Sequence, residues 1–90
     1  MNDVKKNILV VDDEKGIIEF IETYLSDSGY EVFTAYTGKE ALEIFYKENI
    51  SMILLDLMLH DISGEEICRI IRKTSNLPII TILFGAGNVN

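Results

Sequence analysis

The sequence has one cysteine, one proline and no tryptophan among its 90 residues. A single thiol cannot form an internal disulfide, so a small scaffold held together by disulfides is excluded. Cys68 falls on the apolar side of a predicted helix, where a buried small side chain is expected rather than a reactive thiol. The one proline, Pro78, stands at the first position of a predicted strand, where proline is tolerated.

Positive charge is also scarce. Eight lysines and arginines stand against fifteen aspartates and glutamates, which gives a formal net charge of -7. Nucleic-acid backbones and anionic membranes attract basic surfaces, so we expect this segment to bind neither. A cation or a basic partner fits the charge better, although an acidic surface can also serve solubility alone.

Long apolar runs are missing as well. None approaches the roughly 20 residues that span a bilayer. The apolar run at 8–11, after Lys5 and Lys6, is too short for the core of a signal peptide. With 48% apolar and 26% charged residues, the composition is that of one globular domain. We therefore expect a cytoplasmic protein in which residues 1–90 form a single domain.

Two short apolar runs end in carboxylates. Residues 8–11 precede Asp12 and Asp13, and residues 52–55 precede Asp56. A short run without alternation is typical of a strand that is covered on both faces, as in a parallel sheet. In open α/β sheets the carboxyl ends of the strands form the edge where ligands bind.

The chain alternates between strand and helix signals. Thr37 to Glu40 and Ser63 to Glu66 are capping boxes, and Gly29 suits a left-handed helix end. Residues 85–90 have no periodicity and are expected to be a disordered tail. Strands are predicted at 7–12, 31–36, 51–56 and 79–84, and helices at 14–28, 37–49 and 63–73. The order β-α-β-α-β-α-β predicts a doubly wound parallel sheet. We expect the flavodoxin-like strand order 2-1-3-4, which is one of the common orders of such sheets and which the alternation of elements does not by itself determine.

In that strand order Asp12, Asp13 and Asp56 share one edge of the sheet. Three carboxylates that close repel one another unless a cation compensates, and a hard divalent ion such as Mg²⁺ takes carboxylate and phosphate oxygens. Asp56 could then act as a nucleophile toward a phosphoryl group, with the metal offsetting charge. The alternative is that Asp12 or Asp13 merely caps the first helix. A cap explains neither the pair nor Asp56.

Several segments together resemble the receiver domain of two-component response regulators. They are residues 8–14, 37–42, 52–59, 63–64 and 77–80, and the resemblance covers roughly residues 7–82. It implies that Asp56 is the phosphoacceptor for a sensor histidine kinase. It further implies that Asp13 binds Mg²⁺ directly, that Asp12 binds it directly or through water, and that the backbone carbonyl of Met58 completes the site.

The chain departs from the receiver pattern at three points. It lacks the last helix-strand-helix portion, which would carry a lysine that binds the phosphoryl group. Leu83 stands where the family has Thr or Ser, and His60 stands where it usually has Pro. We therefore expect metal binding to survive and phosphotransfer to survive weakly, while conformational switching is impaired. His60 is expected to be an exposed loop residue.

An uncharged fourth strand at the edge of a sheet invites pairing with another chain. We expect a homodimer or a swapped oligomer through that strand or through the exposed sheet face.

Two other functions compete with the phosphoacceptor. One is a binding-only receiver-like module that docks a kinase or a regulator. The other is a small enzyme, either nucleotide-binding or a phosphatase. The first strand lacks the Gly-rich turn that cradles phosphates, and Met58 replaces the second acid expected of an aspartate-dependent phosphatase. An enzyme is therefore not expected.

Overall fold

A computed structural model describes residues 5–82. Within this range the chain forms β1 (Asn7–Val11), α1 (Lys15–Asp27), β2 (Glu31–Ala35), α2 (Gly38–Lys47), β3 (Met52–Asp56), α3 (Gly64–Arg72) and β4 (Ile79–Ile82). Each predicted helix and strand is present, and its ends within the described residues differ from the predicted ones by at most two residues. The predicted continuation of the fourth strand through Leu83 to residue 84, and the predicted tail at 85–90, lie outside the described residues.

The four strands form one parallel sheet in the order β2-β1-β3-β4, as predicted. Strand β1 is central, and its residues Leu9, Val10 and Val11 are fully buried. Val11 pairs with Leu55 of β3, so the two strands reach the carboxyl edge of the sheet at the same level. The residues that follow, Asp12 and Asp56, are thereby placed side by side.

The sheet has an apolar cluster on each face. On one face α2 and α3 cover β1 and β3, and the buried side chains are Leu9, Val11, Ala35, Ala41, Ile50, Ile53, Leu55, Ile67 and Ile71. Cys68 packs against this cluster, and burial raises the pKa of its thiol. Its expected role as a packing residue agrees with this position. On the other face α1 covers a smaller cluster of Ile8, Val10, Ile18 and Ile21.

The face under α1 is less completely covered. Helix α1 buries Ile18 and Ile21, whereas Phe20 and Tyr24 of the same helix are 70% and 66% exposed. Ile80 in β4 is 48% exposed. A single helix is narrower than the sheet, so apolar area on its flank and on β4 stays in contact with solvent.

The ends of α1 show one confirmed prediction and one error. Gly29 has φ of 99°, the left-handed conformation that suits glycine after a helix. At the other end Glu14 precedes the helix and makes no side-chain cap bond. Asp12 Oδ1 instead accepts from the Glu14 backbone N–H at 2.9 Å. The carboxylate therefore holds the turn before the helix, and the prediction that Asp12 or Asp13 caps the helix is wrong.

Both capping boxes form in part. Thr37 Oγ1 accepts from the Glu40 backbone N–H, and Ser63 Oγ accepts from the Glu66 backbone N–H, each at 3.1 Å. The return bond of the first box goes to a different donor, since Glu40 Oε1 accepts from the Tyr36 backbone N–H at 2.8 Å. Helices α2 and α3 thus begin where their sequence signals place them.

No helix within residues 5–82 is long and apolar enough to cross a membrane.

Candidate functional site

Three carboxylates meet at the carboxyl edge of the sheet. One oxygen from each of Asp12, Asp13 and Asp56 lies within 4.8 Å of the others. Asp12 and Asp56 are buried, and Asp13 is partly buried. Three negative charges at this distance repel one another. A single divalent cation bound between them would offset the repulsion. The cluster is thus able to hold a metal ion.

Backbone N–H groups hold one oxygen of each buried carboxylate. Asp12 Oδ1 accepts from Glu14 N at 2.9 Å, and Asp56 Oδ1 accepts from Met58 N at 3.0 Å. Both bonds come from the loop that directly follows the strand. The local turn therefore sets the orientation of each carboxylate without a contribution from a distant side chain.

The second oxygen of Asp12 is the unusual atom of the site. Asp12 Oδ2 is buried and has no hydrogen-bond partner among the described residues. Burial is the main reason that the pKa of Asp12 is raised; the charges of Asp56, Asp13 and Glu14 add to this, while the bond from Glu14 N opposes it. A buried carboxylate oxygen without a donor is costly in an apoprotein. The same atom fits a hard cation, for which it would be a ligand.

The start of α3 packs directly against the backbone beyond Asp56. Gly64 N donates to the Leu57 carbonyl at 3.2 Å. A Cβ at position 64 would lie 2.7 Å from Leu57 Cα and 3.0 Å from the Asp56 carbonyl oxygen. Glycine is needed there because only a residue without a side chain permits this approach. The approach fixes the path of the chain just after Asp56.

Asp61 ties the loop between β3 and α3 to the start of α2. Its carboxylate oxygens accept from Gly38 N at 2.8 Å and from Lys39 N at 3.0 Å. The bond from Gly38 is the main reason that the pKa of Asp61 is lowered. A Cβ on Gly38 would lie 2.9 Å from Ile62 Cβ, so the loop and the helix are in close contact. The sequence analysis missed this contact because an aspartate in a loop carries no signal of a partner 22 or 23 residues away.

His60 is exposed, as expected, but it is not an isolated loop residue. Its Nδ1 lies 2.6 Å from Asp13 Oδ2 while its side chain remains 91% exposed. The departure from proline at this position was visible in the sequence. The contact was not, because it joins two loops that follow different strands.

The predicted site residues fall in two groups. Asp12, Asp13 and Asp56 come together, while their roles as metal ligands and phosphoacceptor stay predictions. Met58 is adjacent through its backbone, and its side chain is exposed. That the backbone carbonyl of Met58 is a metal ligand also stays a prediction. Leu83 lies outside the described residues.

The family model described as response regulator receiver domain matches residues 8–88. The chain belongs to this family. It is also similar to two proteins named probable transcriptional regulator ycf27. The one from Porphyra purpurea is 48% identical over 89 residues, which is 99% of this chain and 36% of that protein. The one from Cyanophora paradoxa is 49% identical over 85 residues, which is 94% of this chain and 35% of that protein. The receiver chain thus spans about a third of the length of these relatives.

Solved structures share the fold of this receiver. The chemotaxis response regulator CheY4 of Vibrio cholerae superposes with a TM-score of 0.84 at 32% identity, covering 87% of this chain and 68% of that one. A response regulator named TrrA, solved in complex with the histidine kinase ThkA, gives a TM-score of 0.82 at 38% identity over 94% of this chain and 74% of that one. Receiver domains act in signalling and interact with sensor histidine kinases. The receiver is accordingly a signalling domain and not an enzyme.

Proposed function

We propose that this receiver accepts a phosphoryl group on Asp56 from a sensor histidine kinase, with Mg²⁺ as cofactor. Asp12, Asp13, Asp56 and the backbone carbonyl of Met58 are the proposed ligands. The observation that carries the proposal is the cluster of three carboxylates within 4.8 Å at the sheet edge. Asp12 Oδ2, which is buried and has no hydrogen-bond partner within residues 5–82, supports a cation there.

This chain supplies the nucleophile, a carboxylate whose orientation is fixed by a backbone hydrogen bond. An oxygen of Asp56 attacks phosphorus in the phosphohistidine of the kinase, and the bond from phosphorus to the imidazole nitrogen breaks. The electron pair stays on that nitrogen, which takes up a proton, and Asp56 becomes an acyl phosphate. Met58 N holds Asp56 Oδ1 and so fixes the direction in which the carboxylate faces. Mg²⁺, when bound, supplies charge that offsets the developing negative charge on the phosphoryl oxygens.

The conformational response to phosphorylation is proposed to be weak. The side chain of leucine at position 83 has no group that can hydrogen-bond a phosphoryl oxygen. The acidic cluster and Asp56 lie within residues 12–58, which do not include this position, so weak phosphotransfer is proposed to survive.

The setting of the domain is part of the same proposal. Residues 1–90 act as one receiver unit in the cytoplasm, and their net charge of -7 keeps them off nucleic acid. Two copies associate through the edge of β4 or through the adjoining exposed sheet face, where Ile80 is 48% exposed.

Labelling with a small phosphodonor tests the phosphoacceptor. Incubation with acetyl phosphate and Mg²⁺ should add one phosphoryl group, detected by intact-protein mass spectrometry, and a chelator should prevent the addition. Asp56→Asn should abolish the label, while Asp27→Asn, at an exposed carboxylate of α1, should keep it.

Two results would speak against this assignment. A label that persists in Asp56→Asn would place the acceptor elsewhere. A folded protein that binds Mg²⁺ but takes no label would instead be a binding-only module that docks a kinase or a regulator.

A further inference from the structure

The geometry points to His60 as a positioning residue for the metal site, acting through the close contact of its Nδ1 with Asp13 Oδ2. This inference rests on the proposed function, because it concerns how well the carboxylate cluster holds its cation. It assigns a role to the side chain that departs from the receiver pattern.

The first support is a shared arrangement. Each of the three carboxylates has one oxygen in contact with a nitrogen. For two of them the nitrogen belongs to the backbone of the following loop. For Asp13 it is the imidazole Nδ1 of His60, which lies 2.6 Å from Oδ2. His60 thus does for Asp13 what local backbone donors do for the other two, provided that Nδ1 carries the proton.

The second support is that the loop bearing His60 is anchored independently of the cluster. The next residue, Asp61, accepts hydrogen bonds from Gly38 N and Lys39 N at the start of α2. These bonds fix the backbone beside His60 in the absence of any metal. An imidazole on a fixed backbone can hold its partner with less loss of conformational entropy than one on a loose loop.

The third support is exposure. The His60 side chain is 91% exposed, so little apolar packing depends on it. Removing the imidazole should therefore leave the fold unchanged and act on the orientation of Asp13. With Oδ2 held from outside, Oδ1 is free to turn toward the cation. Outer partners of metal ligands commonly change metal affinity about 10–100-fold when they are removed.

Three variants separate a specific donor from a merely tolerated residue. His60→Ala removes the donor. His60→Asn places an amide nitrogen at about the position of Nδ1, and His60→Gln places one farther out, near the position of Nε2. We expect Mg²⁺ affinity, measured by calorimetry at one fixed pH, to fall about tenfold in His60→Ala and His60→Gln. His60→Asn should bind close to the unaltered chain.

A spectroscopic readout accompanies the affinities. His60 is the single histidine in the sequence, so every imidazole signal in a ¹⁵N spectrum of the untagged chain belongs to it. With Mg²⁺ bound, Nδ1 should appear as the protonated nitrogen. The melting temperatures of the three variants without metal should match that of the unaltered chain.

Failure of this inference is distinct from failure of the metal site. If Asp13→Asn and Asp56→Asn leave Mg²⁺ affinity unchanged, the proposed site is wrong whatever His60 does. If they abolish binding while His60→Ala binds as well as the unaltered chain or better, the positioning role is overturned. Equal losses in His60→Asn and His60→Ala would overturn it too, and so would a proton on Nε2 alone.

Discussion

At the scale of one residue, Asp12 suits a ligand-binding site but lowers the stability of the metal-free protein. Its side chain is 1% exposed, and one oxygen lacks a partner among residues 5–82. The pKa of Asp12 is raised, above all by burial, so the folded state binds its proton more tightly than the unfolded state does. Stability from this group is therefore present at acid pH and is lost as pH rises through the raised pKa.

Asp12→Asn should stabilise the metal-free protein at neutral pH. The amide removes a buried charge and can donate to the neighbouring carboxylates, while its oxygen can still accept from Glu14 N. We expect a gain of roughly 1 kcal/mol, about 4–8 °C in melting temperature for a domain of this size. Thermal unfolding in the presence of a chelator measures it.

Asp27→Asn, at an exposed carboxylate, is the matched control and should change the melting temperature little. A lower melting temperature for Asp12→Asn under chelation would contradict this account. With added Mg²⁺ the unaltered chain should have a higher melting temperature than Asp12→Asn, because bound metal stabilises the folded state of the chain that binds it.

At the scale of elements, the loop between β3 and α3 is held at both of its ends. Gly64 lies against the backbone of Asp56 and Leu57, and Asp61 binds the first N–H groups of α2. Thr37 already caps that helix through Glu40 N, so α2 has side-chain acceptors from two segments of the chain. The loop that carries Met58 and His60 is thereby positioned from a helix outside the acidic cluster.

Asp61→Ala should destabilise the fold by about 1 kcal/mol at neutral pH, the usual cost of losing a helix cap. The pKa of Asp61 is lowered, chiefly by the Gly38 bond, so its contribution is present above the unfolded value of 3.8 and is lost as pH falls through the lowered pKa. Urea unfolding at about pH 7 and about pH 3 should show the difference from the unaltered chain shrinking in acid. An undiminished difference at the lower pH would show that the carboxylate charge is not the cause.

At the scale of the whole molecule, two tendencies oppose each other. Among residues 5–82, β4 is an edge strand with unpaired backbone groups, and apolar side chains of β4 and α1 are exposed near the same face of the sheet. The net charge of -7 repels copies of the chain from one another. Association should therefore depend on both concentration and salt.

Light scattering coupled to size exclusion should show a monomer at low concentration and a dimer at high concentration. Added salt should favour the dimer by screening the repulsion. Ile80→Lys should shift the equilibrium to the monomer, since a charge on an edge strand discourages pairing. Tyr46→Lys, at an exposed position on α2, is the control and should not. A monomer at every concentration would contradict the proposed dimer.

Apart from the start of α1, the amino-acid sequence predicted the features that depend on neighbours a few residues apart. Apolar runs predicted the strands, capping boxes predicted the starts of α2 and α3, and Gly29 predicted the end of α1. These features are readable because periodicity and turn chemistry are local. The alternation of elements predicted a doubly wound parallel sheet. The strand order that brings Asp12, Asp13 and Asp56 together came from the flavodoxin-like fold to which the receiver resemblance also points.

Contacts between distant segments required the folded molecule. Asp61 accepts hydrogen bonds at the start of α2, and His60 lies against Asp13. Phe20 and Tyr24 stay exposed although other apolar residues of α1 are buried. No local pattern encodes these outcomes, because each depends on where two separately folded loops or faces come to lie. The contacts of an apolar or charged side chain with distant segments are set by how the helices pack on the sheet, so they are known only from the tertiary structure.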